Sequence, residues 1–262
     1  MKNHQSHQTK PKSSRRSHVV GKDGLFINNW SALEEYFKAM PKALNKLTCA
    51  AGDEARLKEL MKDCQILDLE YSVDMKLATG VNVGVTINYL EEDKMLEEAA
   101  LKRCDLIIAC DHITDTRNLG AIARTAAFFG IQNIILPRDR QASITSGTLA
   151  VAQGAFATIK PCLVTNLTRT LESLKECGYW IATADMKGVD VSKLQTGYNK
   201  LVLVLGSEDK GVSAQIRNKS DLLVSIPSFG GSLDSLNVSV AAGILIYNLK
   251  SGSSEVKKLP LS

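Results

Sequence analysis

From residue 105 onward, short apolar runs alternate with segments whose apolar residues recur every three or four positions. Runs such as 201–205, Leu-Val-Leu-Val-Leu, are apolar at every position, which is typical of strands buried on both faces of a parallel sheet. The alternation predicts an α/β domain with helices covering that sheet. The predicted strands are 105–110, 133–136, 158–161, 180–184, 201–205 and 222–226, and the predicted helices are 119–130, 145–155, 167–177, 213–220 and 237–250.

The preceding segment, residues 19–90, has shorter and more mixed elements. Ser31 and Glu34 form a capping-box pattern that predicts a helix at 31–39, which Pro41 ends. A second helix is predicted at 53–61, and strands are predicted at 43–49, 65–69 and 81–88. These elements indicate a small α/β domain. An acidic linker at 91–104, ending in a short helix, is predicted to join it to the larger domain at 105–262.

The excess of basic charge lies in the first 22 residues, which carry six Lys or Arg and no acidic residue. The rest of the chain has 26 basic and 28 acidic residues, so the net charge of +4 comes from this segment. Residues 1–18 are predicted to be a disordered basic tail, and they lack the apolar core of a signal peptide. Two interpretations stay open: a solubilising extension, and an auxiliary arm that binds nucleic acid phosphates.

The composition, with 44% hydrophobic and 23% charged residues, is that of a globular protein. No apolar run approaches the roughly 20 residues that a membrane span requires. The six cysteines form no CxxC pair and have no histidine at zinc spacing, which argues against a metal site and against a disulfide framework. The simplest setting for these thiols is a reducing cytoplasm.

Three polar loops follow predicted strands, and in open α/β sheets ligands bind beyond the carboxyl ends of strands. The first loop, 111–120, leads into a helix that carries Arg124, and Asn118 meets Arg124 only if the chain at Asn118 folds back over that helix. The pair is interpreted either as a phosphate site with an arginine fork or as a helix cap and a solvated arginine. His112, in the same loop, is a further candidate for a base.

The second loop, 206–211, reads Gly-x-Glu-x-x-Gly, where each glycine allows a tight turn or a close approach to a ligand. It is interpreted as a ligand loop or as a plain turn, and it lacks the Lys-Ser/Thr ending of a phosphate-binding P-loop. The third loop, 226–237, is rich in Gly and Ser and longer than most connections. Ser235 and Asn237 are candidate caps of the helix after it. The residues alone therefore predict a ligand-binding α/β domain.

The three loops contain three groups of residues in a fixed order: Asn118-Leu119-Gly120 with Arg124, Leu205-Gly206-Ser207-Glu208 with Gly211, and Ile226-Pro227 with Ser235-Leu236-Asn237-Val238-Ser239. Over residues 105–249 they resemble the motifs of the SpoU (TrmH) family of RNA ribose 2′-O-methyltransferases, in the SPOUT superfamily. The resemblance implies a parallel sheet with a C-terminal deep trefoil knot, an exception to the rule that chains do not thread their own loops. It also implies S-adenosyl-L-methionine as cofactor, an RNA substrate, a homodimer and no metal.

The resemblance also implies roles for individual residues. Arg124 takes the catalytic role, aided by RNA phosphate, while Asn118, Glu208, Ser235 and Asn237 position the ribose and the loops. Main chain around Leu205, Gly206, Ile226 and Leu236, together with Asn237, is expected to bind S-adenosylmethionine. Because a guanidinium stays protonated in proteins, we expect Arg124 to bind phosphate and order the 2′-hydroxyl rather than to act as a base.

Residues 19–90 resemble, more weakly, the N-terminal module of two-domain family members that methylate a guanosine ribose in 23S rRNA. That module is similar to small ribosomal proteins, and the resemblance implies that it binds the RNA substrate. The His-Gln-Gly signature of those members is replaced here by Gly-Val-Asn-Val-Gly-Val at 80–85. Two alternatives stay open: a tRNA 2′-O-methyltransferase of the same family, and a non-catalytic RNA-binding or ribosome-assembly protein on the same fold.

Overall fold

The structure is a computed structural model that describes residues 24–66, 68–101, 105–194, 198–230 and 235–251. The predicted tail at 1–18, Cys104 and part of the glycine-rich third loop, 231–234, lie outside these residues. The described chain forms two sheets, one of four strands and one of six.

The four-stranded sheet belongs to the N-terminal part of the chain. Its elements are β1 (Leu25–Ile27), α1 (Trp30–Ala39), β2 (Leu44–Ala50), α2 (Glu54–Asp63), β3 (Tyr71–Asp74) and β4 (Val81–Val85). The strands follow the order β1-β4-β2-β3, in which β2 and β3 are parallel and the other pairs are antiparallel. The predicted mixture of short strands and two helices is therefore present.

Three details of this small unit differ from the expectations. Helix α1 is capped by Asn29, whose side chain accepts a hydrogen bond of 2.7 Å from the N–H of Ala32, so the predicted cap at Ser31 is wrong. The strand predicted at 65–69 is also wrong, since the strand forms at Tyr71–Asp74, and β1 was not predicted. Strand β1 has three residues and β3 is largely exposed, so pairing with neighbours defines them more than apolar periodicity does.

The acidic segment after this unit forms a ten-residue helix, α3 (Glu92–Leu101). Met95 and Ala99 are buried in the core of the larger sheet. The side chain of Glu92 accepts a hydrogen bond of 2.7 Å from the buried hydroxyl of Thr170. The segment is thus packed against the larger unit, while the division of the chain near residues 90 and 105 stays a prediction.

The larger sheet has six strands, all parallel. Its elements are β5 (Asp105–Asp111), α4 (Thr116–Phe128), β6 (Asn133–Pro137), α5 (Ser146–Ala152), β7 (Lys160–Val164), α6 (Leu167–Glu176), β8 (Trp180–Asp190), β9 (Lys200–Gly206), α7 (Ala214–Lys219), β10 (Leu222–Ser225) and α8 (Val238–Ser251). The strand order is β10-β8-β9-β5-β6-β7. The predicted α/β class with a parallel sheet is confirmed.

Strand β8 extends beyond the predicted 180–184 and is interrupted by a bulge. Thr183 lies opposite Leu223 and Val189 lies opposite Val224, so residues 184–188 loop out between these two pairs. The bulge requires Gly188, because a Cβ there would lie 2.5 Å from backbone atoms of Leu223 and Val224. The largely apolar run 180–184 predicts the strand but carries no signal for this interruption.

Apolar side chains fill both faces of the larger sheet. Helices α4, α5 and α8 cover one face, and the core on that side continues into the small N-terminal unit. Helices α3, α6 and α7 cover the other face. Cys110 and Cys162 are fully buried here, and this burial raises the pKa of each thiol to about 12. Both behave as small core residues, as their place in apolar runs predicts.

The two units meet along helix α5. At its start, the N–H of Phe26 in β1 donates a hydrogen bond of 3.1 Å to the hydroxyl of Ser146. After its end, Gly154 has a φ of +90°, and a Cβ at this position would lie 2.7 Å from the Cβ of Glu35 in α1. Contacts at both ends of α5 therefore set the orientation of the small unit.

Candidate active site

The side chain of Glu208 joins all three polar loops. Its Oε1 accepts a hydrogen bond of 3.1 Å from Asn118 Nδ2 and one of 3.3 Å from the N–H of Val238. Asn237 Nδ2 donates to the same oxygen and also to Asn118 Oδ1, the latter at 3.0 Å. We call Asn118, Glu208 and Asn237 the Glu208 cluster. It brings together three of the residues that the sequence assigned to the site.

Helix α4 places Asn118 inside its first turn. The helix begins at Thr116, three residues earlier than predicted, and its cap is Asp115, whose Oδ1 accepts a hydrogen bond of 2.7 Å from the N–H of Arg117. This bond, followed by the Arg117 side chain, lowers the pKa of Asp115. The interpretation of Asn118 as the helix cap is therefore wrong. Asn118 is only 9% exposed, and its amide is directed to the cluster.

Asn237 has two functions at the start of α8. Its Oδ1 accepts hydrogen bonds from the N–H groups of Ser239 at 2.9 Å and Val240 at 3.4 Å, so it caps the helix as predicted. Its Nδ2 points the other way, to Glu208 and Asn118. Ser235, the other predicted cap, is exposed and makes no hydrogen bond within the described part of the chain. One amide thus couples the start of α8 to the cluster.

Helices α4 and α8 run side by side in the same direction. At their starts, Asn118 of α4 contacts Asn237, which precedes α8. Further along, a Cβ on Gly243 of α8 would lie 3.9 Å from Cγ2 of Thr125 in α4. At their ends, the rings of Phe129 and Tyr247 are 6.3 Å apart. This order is the same on both helices, so their N-termini lie together. The helix pair is what brings the first and third loops to one place.

Arg124 lies outside the Glu208 cluster. It is exposed and has no hydrogen bond or ion pair to another described residue. Six positions correspond to about 120° around a helix, so Arg124 does not share the face of Asn118. It lies seven positions after Arg117 and therefore on the same face as that residue. The chain at Asn118 does not fold back over the helix, and the two side chains do not meet within α4.

The second loop is a closed turn that depends on its two glycines. The N–H of Gly211 donates to Ser207 O at 2.8 Å, and Gly211 has a φ of +66°. A Cβ on Gly206 would lie 2.1 Å from the carbonyl carbon of Gly211, so no other residue fits without moving the backbone. The predicted tight turn is confirmed. Leu205, next to Gly206 at the end of β9, is buried, with 1% of the residue exposed.

The third loop presents exposed backbone at residues 228–230. Ser228, Phe229 and Gly230 are exposed, and none of their N–H groups donates a hydrogen bond within the described residues. Leu236 is likewise exposed and Ile226 is half-buried, at the end of β10. Unpaired amides beside apolar side chains fit the adenine and ribose of a nucleoside cofactor.

Asp111 and His112 form a pair that the sequence analysis does not predict. His112 Nδ1 lies 2.6 Å from Asp111 Oδ1, and the other oxygen of this buried carboxylate accepts a hydrogen bond of 2.7 Å from the N–H of Ser213. His112 is a candidate base in the sequence, and the structure gives it a carboxylate partner. The adjacent aspartate at the end of an apolar strand was the available signal. The carboxylate fixes the imidazole and joins the end of β5 to the start of α7.

Within the described ranges, no three His, Cys, Asp or Glu side chains are grouped so as to hold a metal ion. In the same ranges, no helix has both the length and the apolar character needed to cross a bilayer.

Comparison with known proteins identifies the family. Residues 105–247 match the SpoU rRNA Methylase family. An uncharacterized tRNA/rRNA methyltransferase of Borreliella burgdorferi is 40% identical over 176 residues, which cover 67% of this chain and 77% of that protein. The Bacillus subtilis protein YacO, named for the TrmH family of tRNA/rRNA methyltransferases, is 32% identical over 246 residues, covering 90% of this chain and 96% of YacO.

A solved structure agrees with this assignment at the level of the fold. The SpoU methyltransferase AviRb from Streptomyces viridochromogenes, in complex with the cofactor AdoMet, aligns with a TM-score of 0.70 and 18% sequence identity, over 86% of this chain and 90% of that one. The chain therefore belongs to the SpoU rRNA methylase family and is an RNA methyltransferase.

Proposed function

We propose that this protein methylates a ribose 2′-hydroxyl in structured RNA, with a guanosine of 23S rRNA as its target. The Glu208 cluster is the observation that supports this proposal most directly. The Glu208 carboxylate of the second loop holds Asn118 and Asn237, which belong to the other two segments, at the carboxyl ends of the sheet, where α/β enzymes bind their ligands. Residues that are far apart in sequence are thereby held in one rigid group, as positioning of two reactants requires.

S-adenosylmethionine, when bound, supplies a methyl group already activated on a sulfonium. The task left to the protein is to orient a poor nucleophile and to keep the loops in place. In the proposal, Asn118 and Asn237 orient the ribose, Glu208 holds both amides, and Ser235 contacts the same substrate. Arg124 binds the neighbouring RNA phosphate with its exposed guanidinium and thereby orders the 2′-hydroxyl.

The cofactor contacts follow from the unpaired main chain. Backbone groups of Leu205, Gly206, Ile226 and Leu236, with Asn237, are proposed to hold the adenine and ribose of the cofactor. The closed turn at 206–211 supports this role because it fixes the peptide groups at the end of β9. A deep trefoil knot in the C-terminal part is also proposed, with the third loop as its crossing segment.

A homodimer is proposed through helices α4 and α8. Val240 and Tyr247 lie seven positions apart on one face of α8 and are 51% and 59% exposed, and Phe128 at the end of α4 is 83% exposed. Apolar side chains grouped on neighbouring helices favour contact with a second copy. The contact would bring the active-site helices of two chains together.

The small N-terminal unit is proposed to bind the RNA substrate in the cytoplasm, and the basic tail to act as an auxiliary arm. The close packing of this unit along α5 supports the proposal, since a fixed second unit selects RNA of a matching shape. The same geometry admits a tRNA, and the relatives are named for both tRNA and rRNA. A tRNA 2′-O-methyltransferase is therefore the second candidate.

The proposal is tested by mapping ribose methylation across total RNA from strains with and without the gene. We expect one 2′-O-methylated guanosine of 23S rRNA to disappear on deletion. Loss of a tRNA position instead would establish the second candidate. No detectable binding of S-adenosylmethionine by calorimetry would support a non-catalytic RNA-binding protein and contradict the proposal.

The role of Arg124 is tested by methyl transfer in vitro with Arg124→Ala and Arg124→Lys. We expect activity to fall by about 100-fold in the first, because the phosphate contact and the order of the 2′-hydroxyl are lost together. The lysine variant keeps a point charge without the fork and should retain part of the activity. Near-normal turnover in both would remove this residue from the mechanism.

A further inference from the structure

We propose that the loop between β6 and α5, residues 138–145, carries the RNA backbone from the small N-terminal unit to the Glu208 cluster, with Arg140 as a phosphate contact. We call residues 138–145 the bridging loop. This inference rests on the proposed function and adds a substrate surface to it.

The bridging loop is fixed to the loop that leads into the active site. The N–H of Ile113 donates a hydrogen bond of 2.9 Å to Gln141 Oε1, and the N–H of Ala142 donates one of 2.7 Å to Ile113 O. Ile113 follows β5 and precedes the cap of α4 by two positions. Because β5 and β6 are parallel neighbours, both loops leave the same edge of the sheet. One side of the bridging loop therefore borders the active site.

The other side borders the N-terminal unit. Ser146, the residue directly after the bridging loop, accepts the hydrogen bond from Phe26 in β1. Strand β1 begins at Leu25, and residues 1–22, which precede it along the chain, carry six Lys or Arg. RNA that contacts both the small unit and the Glu208 cluster would pass over the loop that lies between them.

The loop offers cationic side chains on this path. Arg138 and Arg140 are exposed, and Asp139 between them is the loop's one acidic residue. Arg140 makes no hydrogen bond or ion pair with a described residue, and its backbone has a φ of +55°. This left-handed conformation is uncommon for a residue other than glycine. The surrounding loop therefore stabilises a backbone conformation that is itself unfavourable in free energy.

The neighbouring arginine on α4 is arranged differently. The Arg117 side chain is 81% exposed but is held by Asp115, with its NH2 atom 3.2 Å from Asp115 Oδ2. Arg140 has no such carboxylate partner in the described chain. A guanidinium without a partner is available for the two-pronged contact that arginine makes with phosphate. Arg140 is therefore the side chain of this surface that we assign to RNA.

The test compares Arg140→Glu and Arg140→Lys with Lys94→Glu, an exposed lysine of α3 on the opposite face of the sheet. The probe is 23S rRNA from the deletion strain, with affinity measured over a range of salt. We expect Arg140→Glu to weaken RNA binding about tenfold. The slope of the logarithm of the binding constant against the logarithm of the salt concentration should become shallower by about one released counterion. Arg140→Lys should lie between Arg140→Glu and the unmodified protein. Lys94→Glu should behave as wild type.

Cofactor binding and folding provide the remaining controls. Calorimetry with S-adenosylmethionine and the thermal midpoint should be the same for all variants, and Arg140→Gln serves as a milder change if the glutamate variant folds poorly. Wild-type RNA affinity and salt dependence in Arg140→Glu would overturn the inference, as would an equal loss in Lys94→Glu. Methyl transfer by the unmodified protein is measured alongside, so failure of the proposed function is seen separately.

Discussion

The side chains of Asn118 and Asn237 lie 119 positions apart and are joined by a hydrogen bond of 3.0 Å. Glu208 binds both amides from a third segment of the chain. Parallel helices α4 and α8 bring the two asparagines to the same end, and the closed turn at 206–211 presents the carboxylate. The candidate active site is therefore held by side chains that bind one another.

Replacing Glu208 by Ala is expected to lower methyl transfer by about 10- to 100-fold, since the amides of Asn118 and Asn237 lose the group that orients them. The thermal midpoint should change little, because Glu208 is exposed. Initial rates at saturating cofactor and RNA measure the effect. Asp209→Ala is the matched control, as Asp209 is the exposed neighbour outside the cluster. Equal rates in the two variants would contradict the role given to Glu208.

Two glycines of the larger domain are expected to respond in opposite directions to alanine. Gly206→Ala places a Cβ 2.1 Å from the Gly211 carbonyl carbon and should destabilise the fold by about 3 kcal/mol or more. Gly243→Ala meets Thr125 at an ordinary 3.9 Å and should stabilise α8 by about 0.5–1 kcal/mol. Urea unfolding measures both. A stable Gly206→Ala variant with normal cofactor binding would show that the turn is less tightly closed.

Stability is expected to fall at alkaline pH because burial raises the pKa of Cys110 and Cys162 to about 12. In the unfolded chain these thiols ionise near pH 8.5, while in the folded chain they stay protonated. The unfolding free energy is thus unaffected below about pH 8.5 and falls above it, by up to about 1.4 kcal/mol per pH unit for each thiol.

Urea unfolding of the reduced protein between pH 7 and 10 checks this decline. Cys162→Ala should show a shallower slope with pH, even though the lost packing lowers its stability at every pH. Cys177→Ala keeps both deeply buried thiols and should follow the slope of the unmodified protein. If the unfolding free energy fell with the same slope against pH in all three proteins, the raised pKa of the Cys162 thiol would be contradicted.

The proposed dimer is expected to dissociate when a charge is placed on the exposed face of α8. Val240→Asp should give a monomer in light scattering after gel filtration, because the carboxylate would be buried against the partner without a cation. Met75→Asp, at an exposed methionine of the small unit, should stay dimeric. If the unmodified protein is itself a monomer at micromolar concentration, the dimer proposal is wrong.

The apolar pattern by itself predicted the parallel sheet, its six strands and most of its helices, because consecutive apolar residues and three-to-four spacing are local signals. The order of three polar loops also identified the family and the residues Asn118, Glu208 and Asn237. These features depend on which residue types stand where along the chain. They need no knowledge of which segments pack together.

Tertiary structure decided what depends on contacts between distant segments. The acidic segment 91–104 is predicted to be a linker that ends in a short helix, and only the tertiary structure places Met95 and Ala99 of the helix Glu92–Leu101 in the core on one face of the larger sheet. Strand β3 forms through its pairing with β2. Position 154 requires a glycine because the Glu35 side chain lies close to the backbone there. The carboxylate of Asp111 gives His112 a partner. The sharing of one Glu208 oxygen by two asparagines likewise required the strand order and the parallel helices, which no local pattern encodes.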